Sequence, residues 1–270
     1  MADFIDVLLQ FISRFALPRA ERNRAFAMLQ TKSFEEIELE SNRLRNKAVR
    51  TFIRAHEVTE RQGEAGELIL YLLTEWIIEA PQVLAKMSLK TNPNMPVHGA
   101  DGVHVKYNPA RDSIRFYFGE SKMQPSLGAA LRAAAKSIAK AVQDEAARYE
   151  VDLVTTHIDA TGLSEIEKQS LLRHLHPWTE EGNAREEAAT SLLLFEYDGY
   201  TRLTAHDALA REKEFENLLA GDLAKAAPRI GKIFRAAGLE AHPVELFLLP
   251  LPSVSDFRQR FHAEIGWRHG

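Results

Sequence analysis

The chain has 270 residues, 45% hydrophobic and 27% charged, an ordinary balance for a soluble protein and long enough to bury a substantial core without covalent staples. It contains no cysteine, which excludes disulfides, thiol nucleophiles and cysteine-based zinc or iron–sulfur sites and fits a cytoplasmic location. The formal net charge of −4 supplies no global attraction to nucleic acid, so such contact must come from local basic patches.

In MADFIDVLLQFISRF, Phe4, Val7, Leu8, Phe11, Ile12 and Phe15 recur at helical spacing, which predicts an amphipathic helix. Asp3 and Asp6 stand where a signal peptide would be basic, and no small-residue cleavage site follows. No apolar run is long enough to span a bilayer, so no membrane partner is expected. Residues 1–62 read as a helical N-terminal segment packed on a core domain of 63–270. The locally basic series Arg43, Arg45, Lys47, Arg50 and Arg54 reads equally as a solvated helix face or as a phosphate or partner contact. Gly63 and Gly66 bracket the start of the next helix, about 64–79, and Pro81 follows its end.

Between 86 and 122 the period changes. KMSLKT (86–91) reads as a short strand, DGVHVKY (101–107) alternates, NPARD (108–112) is a turn cluster, and SIRFYFGESK (113–122) is rich in β-formers. A long helix is predicted over 126–149 and a second over about 164–174. SLLLFEYD (191–198) and VELFLLPLP (244–252) read as buried strands joined by a helical region of roughly 206–237, which implies a parallel crossover. The fold class is α/β (α+β): a mixed sheet flanked by helices, with a helical N-terminal addition.

Side chains alternate along a strand, so Ile114, Phe116, Phe118, Glu120 and Lys122 share one face. A hairpin about the 108–112 turn pairs Val105 with Phe116, Val103 with Phe118 and, one step out, Asp101 with Glu120. Opposed Cβ atoms lie about 4.5–5.5 Å apart, so the two carboxylates repel, and a hard divalent cation is the natural partner for both. Lys122 beside them suits a phosphoryl-transfer site, where an ammonium counters charge building in the transition state. Taken alone, Glu-x-Lys is a common surface pair. The apolar face running into it, Asp101 opposite, and Gly99, Gly102 and Gly119 alongside set this one apart.

HGADGVHV (98–105) followed by FYFGESK (116–122), with a long helix after, resembles the PD-(D/E)xK nuclease superfamily. With GELILYLL upstream it looks more specifically like the DUF1837 family of HamA-like nuclease subunits of Hachiman anti-phage defence. The resemblance is strongest over about 63–145. It implies a PD-(D/E)xK restriction-endonuclease-like core, Mg²⁺-dependent cleavage of DNA (Mn²⁺ as a substitute) and a superfamily-2, HamB-like helicase partner. Residue by residue it implies Asp101 and Glu120 as metal ligands and Lys122 as the catalytic lysine. A glutamate from the preceding helix completes many such sites; Glu67 is the choice here and Glu64 the competitor. Ala100 stands where the superfamily's name has proline.

Arg132, Lys136 and Lys140 repeat every four residues on the following helix and form a stripe that either tracks a DNA backbone or is solvated surface. His104 points away from Asp101 by parity and reads as structural; His98 is not placed by parity, and His174-x-His176 lacks further ligand candidates. No nucleotide-binding or G-x-S-x-G motif is present, so ATP use falls to a partner. The function expected is that of a metal-dependent deoxyribonuclease in a helicase–nuclease defence complex. The alternatives are a non-enzymatic DNA-binding or regulatory subunit on a degenerate nuclease fold, and an unrelated α/β domain with a surface ion pair.

Overall fold

A strand that is apolar at both parities must be covered on both faces, and the segment around SLLLFEYD meets that demand as an interior strand of the sheet. The computed structural model describes residues 1–28, 31–59, 63–87, 100–108, 110–111, 113–143, 146–161, 165–176 and 186–266. Four N-terminal helices, α1 (Ala2–Gln10), α2 (Ile12–Ala16), α3 (Arg19–Met28) and α4 (Phe34–Thr59), lead to α5 (Glu64–Trp76). Strands β1 (Gln82–Leu84), β2 (Val103–Asn108) and β3 (Ser113–Gln124) follow, then α6 (Leu127–Gln143), α7 (Ala146–Thr156) and α8 (Glu165–Leu175). The chain returns through β4 (Glu186–Glu196), α9 (Ala208–Ala236), β5 (Val244–Leu251) and α10 (Val254–Glu264).

The five strands stand in the order β1-β2-β3-β4-β5. The first two junctions are antiparallel and the last two parallel, so the sheet is mixed. The crossover from β4 to β5 through α9 is the one that the two apolar segments predict.

Helices cover both faces. Leu192 and Leu194 of β4 join one core with Ile5, Phe15, Phe52, Leu68 and Phe257, from α1, α2, α4, α5 and α10. Leu193 and Ala189 turn the other way, onto α6 and α9. On that same side Val103, Val105, Ile114 and Phe116 pack against Val151 and Val154 of α7 and Leu171 of α8. The N-terminal helices thus share a continuous core with the sheet.

Three expectations need correcting. Lys86 and Met87 are helical rather than the start of a strand, and 88–91 lie outside the described residues. The helix read as 126–149 is two helices, α6 and α7, on either side of 144–145. The buried face of α1 and α2 is Ile5, Leu8, Leu9, Ile12 and Phe15, while Phe4 and Val7 are exposed. Ile5, Leu8, Leu9, Ile12 and Phe15 are themselves at helical spacing, so the buried stripe lies about one residue round the helix from the one read through Phe4, Val7 and Phe11.

His104, buried on β2, lies on the α5 side with its ring 5.9 Å from that of Tyr71. Its Nδ1 is 2.9 Å from the Ala80 carbonyl, which ties β2 to the chain entering β1. Burial pushes its pKa down to about 4, so the imidazole is neutral and structural. An unfolded chain takes up this proton near the ordinary histidine value, whereas the folded chain refuses it until about 4. Stability from this residue is therefore complete above the ordinary value and is lost as pH falls through the window below it. The expected loss between pH 7 and pH 5 is about 2 kcal/mol more for the natural chain than for His104→Gln. Urea unfolding of both at the two pH values checks this, and parallel pH profiles would contradict it.

Candidate active site

The β2–β3 ladder has the register that the alternating pattern predicts: Val103 opposite Phe118 and Val105 opposite Phe116. Phe116 and Phe118 stack with ring centroids 6.3 Å apart. The apolar layer ends there, and the next residues outward are charged. The simple pairing of Asp101 with Glu120 is modified. Asp101 N donates to Gly119 O (2.7 Å), and Gly119 N donates to Gly102 O (2.9 Å), so two residues of the incoming chain bond to one of β3. That is the hydrogen-bond pattern of a bulge, a device that re-aims side chains beside sites. The Asp101 carboxylate, through Oδ2, accepts from Ser121 N at 2.8 Å. Asp101 thus grips the residues on both sides of Glu120. Gly119 makes this approach possible: a side-chain carbon there would meet Leu70 Cδ2 at 3.2 Å and Gly102 N at 3.4 Å.

Glu120 and Lys122 point to the α6 side, because their β4 partners are Ser191 and Leu193, and Leu193 packs on α6. The Glu120 side chain is 16% exposed and forms an ion pair with Lys122 Nζ. Burial raises its pKa above the ordinary carboxylate value, and the neighbouring Asp101 charge raises it further. Lys122 and a hydrogen bond from Ser137 of α6 pull the other way without cancelling the rise. Glu120 therefore holds its proton more readily than a free carboxylate. The donor set is two carboxylates, all oxygen, which fits a hard divalent ion such as Mg²⁺ that completes its shell with water and phosphate oxygens. Among the described residues no group of three or more His, Asp or Glu is arranged to hold a metal.

Asp101, Glu120 and Lys122 are brought together. Glu67 and the competing Glu64 are buried in the first turn of α5, across the sheet from Glu120 and Lys122. A side-chain carbon on Gly66, between them, would stand 3.0 Å from Ser121 Oγ. That turn therefore packs on the residue between Glu120 and Lys122, but on its other face. Ser121 is accordingly a packing residue under α5. His98 lies outside the described residues. His174 is buried with Nδ1 2.9 Å from Ser170 O, the hydrogen bond of a core histidine.

Arg132, Lys136 and Lys140 are exposed along α6, whose opposite side buries Ala130, Leu131, Ala134 and Ile138. The N-terminal basic series is partly neutralised: Lys47 pairs with Glu21 at 2.7 Å and Arg43 with Glu40 at 2.6 Å.

Two features escaped the sequence. Arg229 of α9 lies over Gly128 beside Arg132, their Nη2 and Nη1 standing 3.1 and 3.5 Å from where a side-chain carbon on Gly128 would sit. No spacing links residues a hundred positions apart. Lys86 and Glu150 form a buried ion pair 2.5 Å long that bonds to both polar groups of the Ala100 peptide. The signal available was a glutamate one turn before Val154, on a helix face otherwise apolar.

Among the described residues no helix is long and apolar enough to cross a membrane. No curated protein and no solved structure matches the chain. A family model does: that of HamA, over residues 1–265. With essentially the whole sequence matched, the chain belongs to the HamA family of Hachiman anti-phage defence.

Proposed function

We propose that this chain is a Mg²⁺-dependent deoxyribonuclease, the effector subunit of a helicase–nuclease complex in anti-phage defence. The observation that carries the reading is the convergence of Asp101, Glu120 and Lys122 where the apolar hairpin face ends, with Glu120 pressed by both burial and a second carboxylate. When bound, Mg²⁺ (or Mn²⁺ in its place) would polarise the scissile phosphate and lower the pKa of a coordinated water. Asp101 and Glu120 are the residues that would hold the ion. Lys122 would then face charge developing on the phosphate or hold the attacking water. Glu67 is the proposed helix-borne acid and Glu64 its competitor, both in the α5 turn that packs on Ser121 from the opposite face of β3. Arg132, Lys136 and Lys140, with Arg229 alongside, contact DNA phosphates without reading bases.

A second reading, a DNA-binding or regulatory subunit on a degenerate nuclease fold, draws on the closed Lys122–Glu120 pair and on the lack, among the described residues, of a ready group of three metal-ligating side chains. Cleavage assays separate the two. Glu120→Ala and Lys122→Ala are expected to lower the rate on plasmid DNA by on the order of 10²-fold or more while the fold persists. Wild-type rates in both variants would remove the catalytic claim.

The raised Glu120 pKa gives the same experiment a stability arm. Between its ordinary and its raised value the folded state binds more protons than the unfolded state, so its contribution falls as pH rises through that window. In EDTA, Glu120→Gln is expected to melt above the natural chain at pH 8, with the gap closing under acid conditions. Added Mn²⁺ is expected to raise the melting temperature of the natural chain more than that of Glu120→Gln. A natural chain that melts higher than the variant in EDTA at pH 8 would contradict the electrostatic account.

Neutralising Arg132, Lys136 and Lys140 is expected to weaken DNA binding and to flatten log K against log salt by about 0.7–0.9 per lost phosphate contact. An unchanged slope returns the stripe to solvated surface.

The partner proposed is the system's helicase, a HamB-like subunit, because the chain carries no nucleotide-binding motif. Exposed Val7, Trp76 and Ile77, with Phe11 edge-on to Trp76, offer apolar surface for it. The two chains are expected to co-purify through an interface of about 1,200–2,000 Å² or more and to cleave DNA in a manner that depends on ATP. No complex at micromolar concentration, or cleavage indifferent to ATP and to the DNA held by the helicase, would end the partner proposal alone.

A further inference from the structure

We propose that the buried Lys86–Glu150 ion pair is a positioning device that sets the Asp101 carboxylate for the divalent ion, an inference that rests on the nuclease reading above. Lys86 Nζ donates to Glu150 Oε1 at 2.5 Å and to Ala100 O at 2.6 Å. Ala100 N donates to the same Glu150 Oε1 at 3.0 Å. Both polar groups of residue 100 are therefore held by side chains brought from elsewhere, Glu150 from α7 and Lys86 from the helical residues after β1. Asp101 comes next in the chain. Its own N–H is held by Gly119 O and its carboxylate by Ser121 N. With the preceding peptide fixed from one side and the residue itself from the other, the carboxylate has little freedom left.

Stability does not explain the pair. Both side chains are 1% exposed, and taking two charges out of water costs several kcal/mol each, so apolar replacements of similar volume are often as stable. Glu150 Oε2 is buried with no hydrogen-bond partner among the described residues, an expense that a better-packed apolar contact would avoid. The Asp101 charge also acts on Glu150, which places the clamp within electrostatic reach of the site. What the pair contributes is a rigid peptide immediately before a metal ligand, joined across the chain on either side of 88–99. A metal ligand held from behind in this way binds its ion more tightly, because its orientation is set before the ion arrives.

The test uses the full chain with its helicase partner for cleavage, and the chain alone for ion binding. Two variants are compared with the natural protein: Glu150→Gln, and Lys86→Met together with Glu150→Met. The double variant removes both charges, leaves neither uncompensated, and is expected to melt within a few degrees of the natural chain. Mn²⁺ affinity by electron paramagnetic resonance and the Mg²⁺ concentration for half-maximal cleavage are both expected to weaken by about 10–100-fold, with the KM for DNA unchanged. A merely structural pair would lower the active fraction and leave ion dependence where it was. Natural Mn²⁺ affinity and natural Mg²⁺ dependence in a folded double variant would overturn the inference and leave the nuclease reading standing. Failure of both variants to fold would overturn it as well, by making the pair a structural strut. A natural chain that neither binds Mn²⁺ nor cleaves DNA with its partner would remove the nuclease reading and this inference together.

Discussion

Two carboxylates at the same end of an apolar hairpin face repel each other, and partial burial strengthens the repulsion because water no longer screens it. Asp101 and Glu120 stand in that relation, and burial together with Asp101 keeps the Glu120 pKa raised even though Lys122 and Ser137 oppose the shift. A folded domain tolerates such a contact only where the surroundings hold it in place. Here the holding groups are the Gly119 bonds to Asp101 and Gly102, the Ser121 amide, and the rigid layer of Phe116 and Phe118 beneath. The sheet supplies the stiffness. β3 is paired with β2 over Ser113–Phe118 and with β4 over Arg115–Gln124, and helices cover the sheet on both faces.

The layers divide the labour. Helices α1, α2, α4, α5 and α10 build the larger core on one side, with Tyr71 and His104 sealing the start of β2. On the other side α6 brings Ser137 to Glu120 and turns its basic stripe outward, while α7 sends Glu150 inward to the peptide before Asp101. One face of the sheet thus carries the charge chemistry, and the other carries most of the hydrophobic burial. Membership of the HamA family places the chain in an anti-phage system.

Much of this was legible in the sequence, because period-two alternation couples register to facing. Once Val103, Val105, Phe116 and Phe118 were assigned to one layer, the approach of Asp101 to Glu120 followed. The bulge at Gly119 was not legible, since Gly102 and Gly119 signal close approach without saying which amide bonds to which carbonyl. In the N-terminal helices apolar residues occupy two neighbouring stripes, Phe4–Val7–Phe11 and Ile5–Leu9–Ile12, and spacing alone does not say which one is buried. Lys86 was read as part of a strand, since KMSLKT alternates by chance, and its partner Glu150 lies far along the chain. Helix α10 went unread, although Ser253 caps it through Asp256 N at 3.2 Å and Phe257 and Phe261 are fully buried. Val254, Phe257, Phe261 and Ile265 do recur at helical spacing behind that cap, so this helix was legible in the sequence.

The central claim is that Asp101 and Glu120 are kept together to share a divalent ion. Anomalous diffraction from crystals of the chain grown with Mn²⁺ and a short DNA duplex tests it most directly. The account predicts a Mn²⁺ peak between the two carboxylates, with Lys122 turned from Glu120 toward a phosphate oxygen. Crystals that hold DNA and Mn²⁺ with no peak at that position, and with Lys122 still closed on Glu120, would contradict it.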